Sequence, residues 1–152
     1  MRYVILDVFS DTPLAGNPLA VVLGADGLDS GRMQAIAAEF NLSETVFVTA
    51  PTVPVHTAKV RIFTPRLELP FAGHPTVGTA VLLACDRLRA GLGLAESVVI
   101  LEEKIGLVRC GAFVKEGGGH ALFDVPKLPQ AEKQVLDRER IATALGLVPA
   151  EI

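Results

Sequence analysis

Residues 69–84 read LPFAGHPTVGTAVLLA, and an apolar helix begins within them. The helical pattern runs from Pro75 to about Ala90, and Gly91 suits the position just after the last turn. Apolar residues cover nearly every face of this helix, which is typical of a helix that is buried on all sides. Because many short strands flank it in the sequence, we expect a sheet wrapped around this one helix.

Alternating or continuously apolar segments predict the strands of that sheet. Residues 58–63 alternate between apolar side chains and Lys59 or Arg61, as in an antiparallel strand with one solvated face. Further strands are predicted at RYVILDVFS, LAVVLG, SETVFVTA, SVVILEE, GLVRCGAFVK and HALFDVP. Two more helices are predicted, one from Asp29 or Ser30 to about Phe40 and one from Asp137 to Leu145. The predicted fold class is therefore α+β, a mostly antiparallel sheet curled around one central buried helix.

Composition narrows the class of protein. The chain has 152 residues, 50% of them hydrophobic, and a formal net charge of −3. This size fits one domain, and no apolar run approaches the ~18 residues of a membrane span. The charge offers no argument for binding nucleic acid or a membrane. Cys85 and Cys110 lack metal-ligand spacing and form no disulfide framework, so we expect a cytoplasmic protein without a metal.

The start of the central helix has the composition of an anion site. The first N–H groups of a helix have no partner within it, and the helix dipole is positive there. Pro75 suits the first helical position, and Gly73 allows another group to approach the backbone. The positive end of the helix disfavours a charged His74. The alternative is that His74 or Thr76 only caps the helix and that the glycine eases packing, and the residues alone leave both interpretations open.

A second candidate is the pair Ser43 and Glu44, where a helix ends and an apolar strand begins. Val46 and Phe47 would partly remove the carboxylate from water, which suits acid–base chemistry. The alternative is a solvated loop glutamate, the commoner case for a lone Glu. Asn17, in the segment AGNP, could reach a ligand, but Gly-Asn-Pro is also an ordinary turn.

Other polar residues are assigned to structure rather than to chemistry. Glu102, Glu103 and Lys104 are predicted to form a solvated strand end. Cys85 is predicted to lie in the core, and His56 has no partner that the sequence identifies.

Three segments together resemble a known family. DVFSDTPLAGNPLAVV (7–22), NLSETVFV (41–48) and RIFTPRLELPFAGHPTVGTA (61–80) are similar, in order and spacing, to the phenazine-biosynthesis isomerases and their PhzF-like relatives. The similarity covers roughly the first 90 residues. It implies a fold like that of diaminopimelate epimerase, in which each half is a sheet curled around a helix and the active site lies between the halves.

The resemblance also implies roles for residues. Glu44 matches the catalytic carboxylate that moves a proton between substrate carbons without a cofactor. Substrate binding is implied for the helix start, which would hold a substrate carboxylate, and for neighbouring residues: Asn17, Ser43, Gly73, His74, Pro75 and Thr76. In the epimerase and racemase branch a thiol precedes the glycine of this motif. Ala72 stands there in this chain, which argues against racemisation by two thiols.

Family members are about twice this length, and their second half carries a helix start of the form Asp-Pro-Ala-Thr-Gly-Ser that this sequence lacks. We therefore expect residues 1–130 to form a PhzF-like N-terminal domain and residues 131–152 to begin a linker or second-half helix. The expected partners are a small carboxylate-bearing metabolite and either a second copy or a separate C-terminal-half chain. The alternative is a non-catalytic half-domain that binds a small acid or only dimerises.

Overall fold

The structure is a computed structural model that describes residues 1–92, 94–115, 117–130 and 137–152. Its strands are β1 (Arg2–Val8), β2 (Asn17–Leu23), β3 (Glu44–Thr49), β4 (Ala58–Phe63), β5 (Glu68–Leu69), β6 (Glu96–Glu103), β7 (Gly106–Lys115) and β8 (Gly118–Phe123). Its helices are α1 (Ser30–Phe40), α2 (Gly73–Arg89), α3 (Arg138–Leu145) and a short 3₁₀ turn, Pro149–Glu151.

The strands form one mixed sheet in the order β1-β2-β3-β4-β6-β7-β8, with β5 paired to β4. The pairs β2–β3 and β4–β6 are parallel, and the other pairs are antiparallel. Helix α2 packs against both edge strands, β1 and β8, as well as against strands between them. A sheet whose two edges contact the same helix must curl around it, so the predicted α+β fold is confirmed.

Helix α1 covers the other face of the sheet along β2, β3 and β4. Val22 and Phe47 point toward it, whereas their neighbours Val21 and Val46 point into the core around α2. Strands β2 and β3 are buried on both faces, which explains why LAVVLG and TVFV read as continuous apolar runs.

Helix α2 begins two residues before its predicted start. Ala72 is the N-cap and Gly73 the first helical residue, so Pro75 lies at the third helical position. The prediction that Pro75 occupies the first position is therefore wrong. Its missing N–H costs nothing at the third position either, because that group has no partner within the helix. Gly91, with φ of +71°, follows the C-cap Ala90 as predicted.

The other helix ends follow their local signals. Asp29 caps α1 by accepting a hydrogen bond from the Arg32 N–H at 2.8 Å. Asp137 and Gly146 cap α3 at its two ends. The first part of the predicted linker, 131–136, lies outside the described residues. Within the described part of the chain, every helix is too short or too polar to cross a lipid bilayer.

Gly78 lies where α2 packs tightly against β1 and β2. A Cβ atom there would lie 2.7 Å from Leu19 Cδ2 and 2.8 Å from Val8 Cγ2. We expect Gly78→Ala to lower the free energy of unfolding by about 1–3 kcal/mol, because overpacking a buried contact exceeds the gain in helix propensity of about 1 kcal/mol. Urea denaturation measures the change.

Gly31 provides the control for this prediction. It lies in the first turn of α1, where a Cβ atom would meet only Asp29 Oδ1 at 3.4 Å. Gly31→Ala should leave the protein as stable or slightly more stable. A midpoint for Gly78→Ala equal to that of Gly31→Ala would contradict the close packing.

Candidate active site

The start of α2 offers two backbone donors. Gly73 and His74 precede the first helical hydrogen bond, so their N–H groups have no partner within the helix. Pro75 has no N–H, and the Thr76 N–H donates to the Ala72 carbonyl at 3.2 Å. The predicted anion site thus narrows from four residues to the N–H groups of Gly73 and His74. A Cβ atom at Gly73 would meet only the Phe123 ring, at 3.7 Å, so no other group packs closely on that side of the residue.

Glu44 and His74 meet beside this helix start. Glu44 Oε2 lies 3.1 Å from His74 Nδ1, and the side chains are 17% and 8% exposed. The distance is that of an ion pair, but the atoms are not aligned as a hydrogen bond. In the part of the chain that the structure describes, Glu44 Oε2 has no hydrogen-bond partner, and neither does the other ring nitrogen of the histidine, His74 Nε2. Buried polar atoms are rarely without a hydrogen-bond partner, and a bound ligand would supply partners for these two.

The surroundings of His74 favour its neutral form. Burial lowers the pKa of its imidazole, while the charge of Glu44 and the backbone carbonyl of Pro18 oppose that shift. The direction agrees with the sequence-based expectation, but the cause is removal from water. A neutral imidazole can accept a proton at one nitrogen and donate from the other.

The parallel strands β2 and β3 bring further predicted residues to the same end of the sheet. Glu44 begins β3 and pairs with Leu19 of the parallel strand β2, which starts at Asn17. Asn17 is adjacent to Pro18, and the Pro18 carbonyl affects the pKa of His74. Asn17 thus lies near the imidazole. Ser43 is exposed immediately before the strand. The Thr76 side chain is buried, and both its hydroxyl and its N–H contact protein groups rather than the open side of the helix start.

Phe9 also belongs to this region, although the sequence did not single it out. Its ring centroid lies 6.4 Å from that of His74, and the residue is 76% exposed. Its φ of +63° is unusual for a bulky residue and carries a strain of about 1–3 kcal/mol. The only signal in the sequence was the turn-rich segment that follows it.

The prediction of a solvated strand end is wrong for Glu103. Only 8% of this residue is exposed, and its Oε1 lies 2.8 Å from the Thr76 hydroxyl. Burial raises the pKa of the Glu103 carboxyl to about 7, against the opposing effect of the Thr76 hydrogen bond. The sequence missed this residue because it reads as one of three consecutive charges.

Glu102 points to the other side of the strand and holds the segment before β4. It accepts hydrogen bonds from the backbone N–H groups of Thr52 and Val53 and from the Thr52 hydroxyl, and its Oε1 lies 2.7 Å from His56 Nδ1. Mainly through the Thr52 and His56 side chains, these contacts lower the pKa of Glu102 to about 2. His56 therefore has a structural partner that the sequence did not identify.

Two surface grooves lie away from Glu44 and His74. One of about 580 Å³ is lined by Arg61, Glu68, Glu103 and Lys104 among others. Arg61 binds both carboxylate oxygens of Glu68, at 2.7 and 2.9 Å, so its charge is already compensated. Neither this groove nor one of about 310 Å³ beside it includes Glu44 or His74. Among the described residues, no three His, Cys, Asp or Glu side chains are grouped as metal ligands.

Comparison with known proteins shows the family of this chain. The model of the PhzC-PhzF family, described as phenazine biosynthesis-like protein, matches residues 6–151. The chain belongs to this family. The PhzC-PhzF match therefore extends beyond the first 90 residues that the motifs covered.

Relatives within the PhzC-PhzF family are about twice as long. An uncharacterized isomerase of Mesorhizobium japonicum is 53% identical over 99% of this chain and 49% of its own. A trans-2,3-dihydro-3-hydroxyanthranilate isomerase of Pseudomonas aeruginosa is 52% identical over 56% of this chain and 30% of its own. A solved structure described as a predicted epimerase from Pseudomonas aeruginosa superimposes with a TM-score of 0.79 and 35% identity, covering 98% of this chain and 51% of the other. The chain thus spans about half the length of these full-size relatives.

Proposed function

We propose that this chain supplies one half of an isomerase that moves a proton on a small carboxylate-bearing metabolite without a cofactor. The observation that carries the proposal is the Glu44–His74 pair, 3.1 Å apart at the open start of α2. A carboxylate and an imidazole that favours its neutral form lie beside two backbone N–H groups that have no partner within the helix. Family membership and the isomerase names of the relatives support the same class of reaction.

The proposed reaction divides the work among these groups. The N–H groups of Gly73 and His74 hold the substrate carboxylate, as helix starts hold anions. Glu44 takes a proton from one substrate carbon, the double bond shifts, and Glu44 returns the proton to another carbon. His74 stays neutral and hydrogen-bonds the substrate. Asn17 and Ser43 lie at the same end of the sheet as Glu44 and are proposed as further substrate contacts.

Deuterium exchange tests this proposal. The protein is incubated in D₂O with trans-2,3-dihydro-3-hydroxyanthranilate, the compound in the name of the Pseudomonas relative, and with other small unsaturated acids. Incorporation of deuterium at carbon supports the proposal. Binding of the acids without incorporation would instead support a half-domain that binds but does not catalyse.

We further propose that the working form contains a second polypeptide over this face. The loop before β2 exposes Phe9 at 76% and Leu14 at 95%, and the Phe9 ring lies beside His74. The chain also spans about half the length of its relatives, which supports a second polypeptide beside this face. A second copy suffices if one surface serves both subunits, and otherwise a C-terminal-half chain is needed.

Sedimentation of the purified chain at micromolar concentration tests the assembly. We expect a mass near twice 16.1 kDa, and Phe9→Ser with Leu14→Ser should shift the chain toward the monomer. A folded, soluble species of 16.1 kDa at all concentrations would contradict self-association.

A further inference from the structure

Glu103 is a buried acid that the proposed reaction does not use. It ends β6 and approaches α2 from the side opposite to the exposed surface of that strand. Its Oε1 contacts Thr76, and its Oε2 is buried without a hydrogen-bond partner among the described residues. Thr76 lies one turn after Ala72, the N-cap of α2.

The hydrogen bonds of Thr76 determine where a proton must be. Its hydroxyl oxygen lies 2.8 Å from the Ala72 carbonyl oxygen and 2.8 Å from Glu103 Oε1. A hydroxyl has one proton, and a carbonyl oxygen can only accept. If the Thr76 proton goes to Ala72, the second short contact needs a proton from Glu103. Both contacts can therefore be hydrogen bonds only when the Glu103 carboxyl is protonated.

The surroundings of Glu103 favour that protonated form. No Lys, Arg or His nitrogen within the described chain lies within 4.0 Å of its carboxyl. The neighbouring Lys104 extends toward Glu68 instead, 3.5 Å away. On β7, Cys110 pairs with Val99, on the same side of the sheet as Glu103, and burial together with the charges of Glu103 and Asp124 raises the pKa of that thiol to about 12. A carboxylate with one donor and no cation would be expensive to bury.

We propose that Glu103 is a proton-dependent positioning residue for the start of α2. With its proton, Glu103 donates to Thr76 and Thr76 donates to the Ala72 carbonyl, so the residues before Gly73 and His74 are held in place. Without it, Thr76 must turn its proton to the carboxylate, and the Ala72 carbonyl loses that donor. A negative charge then also lies in the first turn of α2, where it competes with a bound anion. This inference deepens the proposed function, since it concerns the same helix start.

Nuclear magnetic resonance on the protein without substrate tests this inference. The side-chain carboxyl carbon of Glu103 should titrate with a midpoint near pH 7, following the raised pKa of about 7. The amide signals of Gly73 and His74 should shift with the same midpoint. Glu103→Gln should remove that component, because the Gln amide can donate to Thr76 as the protonated acid does. The part of the amide shift that comes from titration of the His74 imidazole itself should remain in this variant.

Two further variants separate the linkage from a general effect. Glu96→Gln removes an exposed charge from the same strand and should leave both titrations unchanged. In Thr76→Val, the ionised Glu103 carboxylate loses the hydroxyl that donates to it, so Glu103 should titrate at higher pH. The amide signals should then no longer follow the titration of Glu103. A Glu103 midpoint below pH 5, or an amide component near pH 7 that is as large in Glu103→Gln as in the wild type, would overturn the inference. Because no substrate is present, a failure of the proposed reaction would not alter these results.

Discussion

Glu44→Gln should abolish measurable exchange of deuterium into a competent substrate. A general acid–base group typically contributes a factor of about 10²–10⁴ to the rate, and Gln cannot take up the proton. The fold should be kept, because Glu44 Oε2 accepts no hydrogen bond from the described part of the protein. The measurement is the rate of deuterium incorporation, per assembled protein, by wild type and variant in D₂O.

Glu39→Gln is the control for this substitution. Glu39 lies exposed on α1, so removing its charge changes the net charge equally and should leave the rate unchanged. Equal losses in Glu39→Gln and Glu44→Gln would point to a general electrostatic effect. Exchange at the wild-type rate in Glu44→Gln would exclude Glu44 as the acid–base group.

Glu103→Gln should stabilise the protein at pH 8 and have little effect at pH 4. The Glu103 carboxyl has a pKa of about 7 in the fold, against an ordinary value of 4.5. The folded state therefore holds a proton between these values that the unfolded chain releases, and wild-type stability falls as the pH rises through that window. At about 1.4 kcal/mol per unit, the difference amounts to about 3 kcal/mol above pH 7.

Urea denaturation of wild type and Glu103→Gln at pH 4, 6 and 8 measures this difference. Subtracting the two curves removes other titrating groups, including Glu102, whose lowered pKa makes its contribution fade as the pH falls below about 4.5. Glu96→Gln should show no comparable dependence on pH. A difference that is the same at all three pH values would mean that Glu103 does not hold the extra proton.

Local signals predicted the elements because each depends on nearby residues. Asp29 and Asp137 cap helices, Gly91 and Gly146 adopt left-handed conformations beyond helix ends, and β4 alternates as its sequence does. The short strand β5 and the 3₁₀ turn were not predicted, and the start of α2 was misplaced. Pro75 is acceptable at several early helical positions, so the residue type alone could not choose among them.

Part of the candidate site could be predicted as well. The motifs identified Glu44 and His74, and the fold brings their side chains together at 3.1 Å. The motifs could not show that the Thr76 hydroxyl turns away from the helix start or that Phe9 lies against His74. Both facts depend on how α2 sits in the curled sheet.

The sequence by itself determined which segments are apolar, where most helices begin and end, and which family the motifs resemble. Those properties reside in neighbouring residues along the chain. Only the tertiary structure decided the environments of Glu102 and Glu103. Consecutive strand residues point to opposite sides, and the position of α2 makes one side a dry interior and leaves the other for Thr52 and His56. The two neighbouring glutamates therefore differ: the pKa of Glu102 is lowered to about 2 and that of Glu103 is raised to about 7, because burial and partners set the cost of charge.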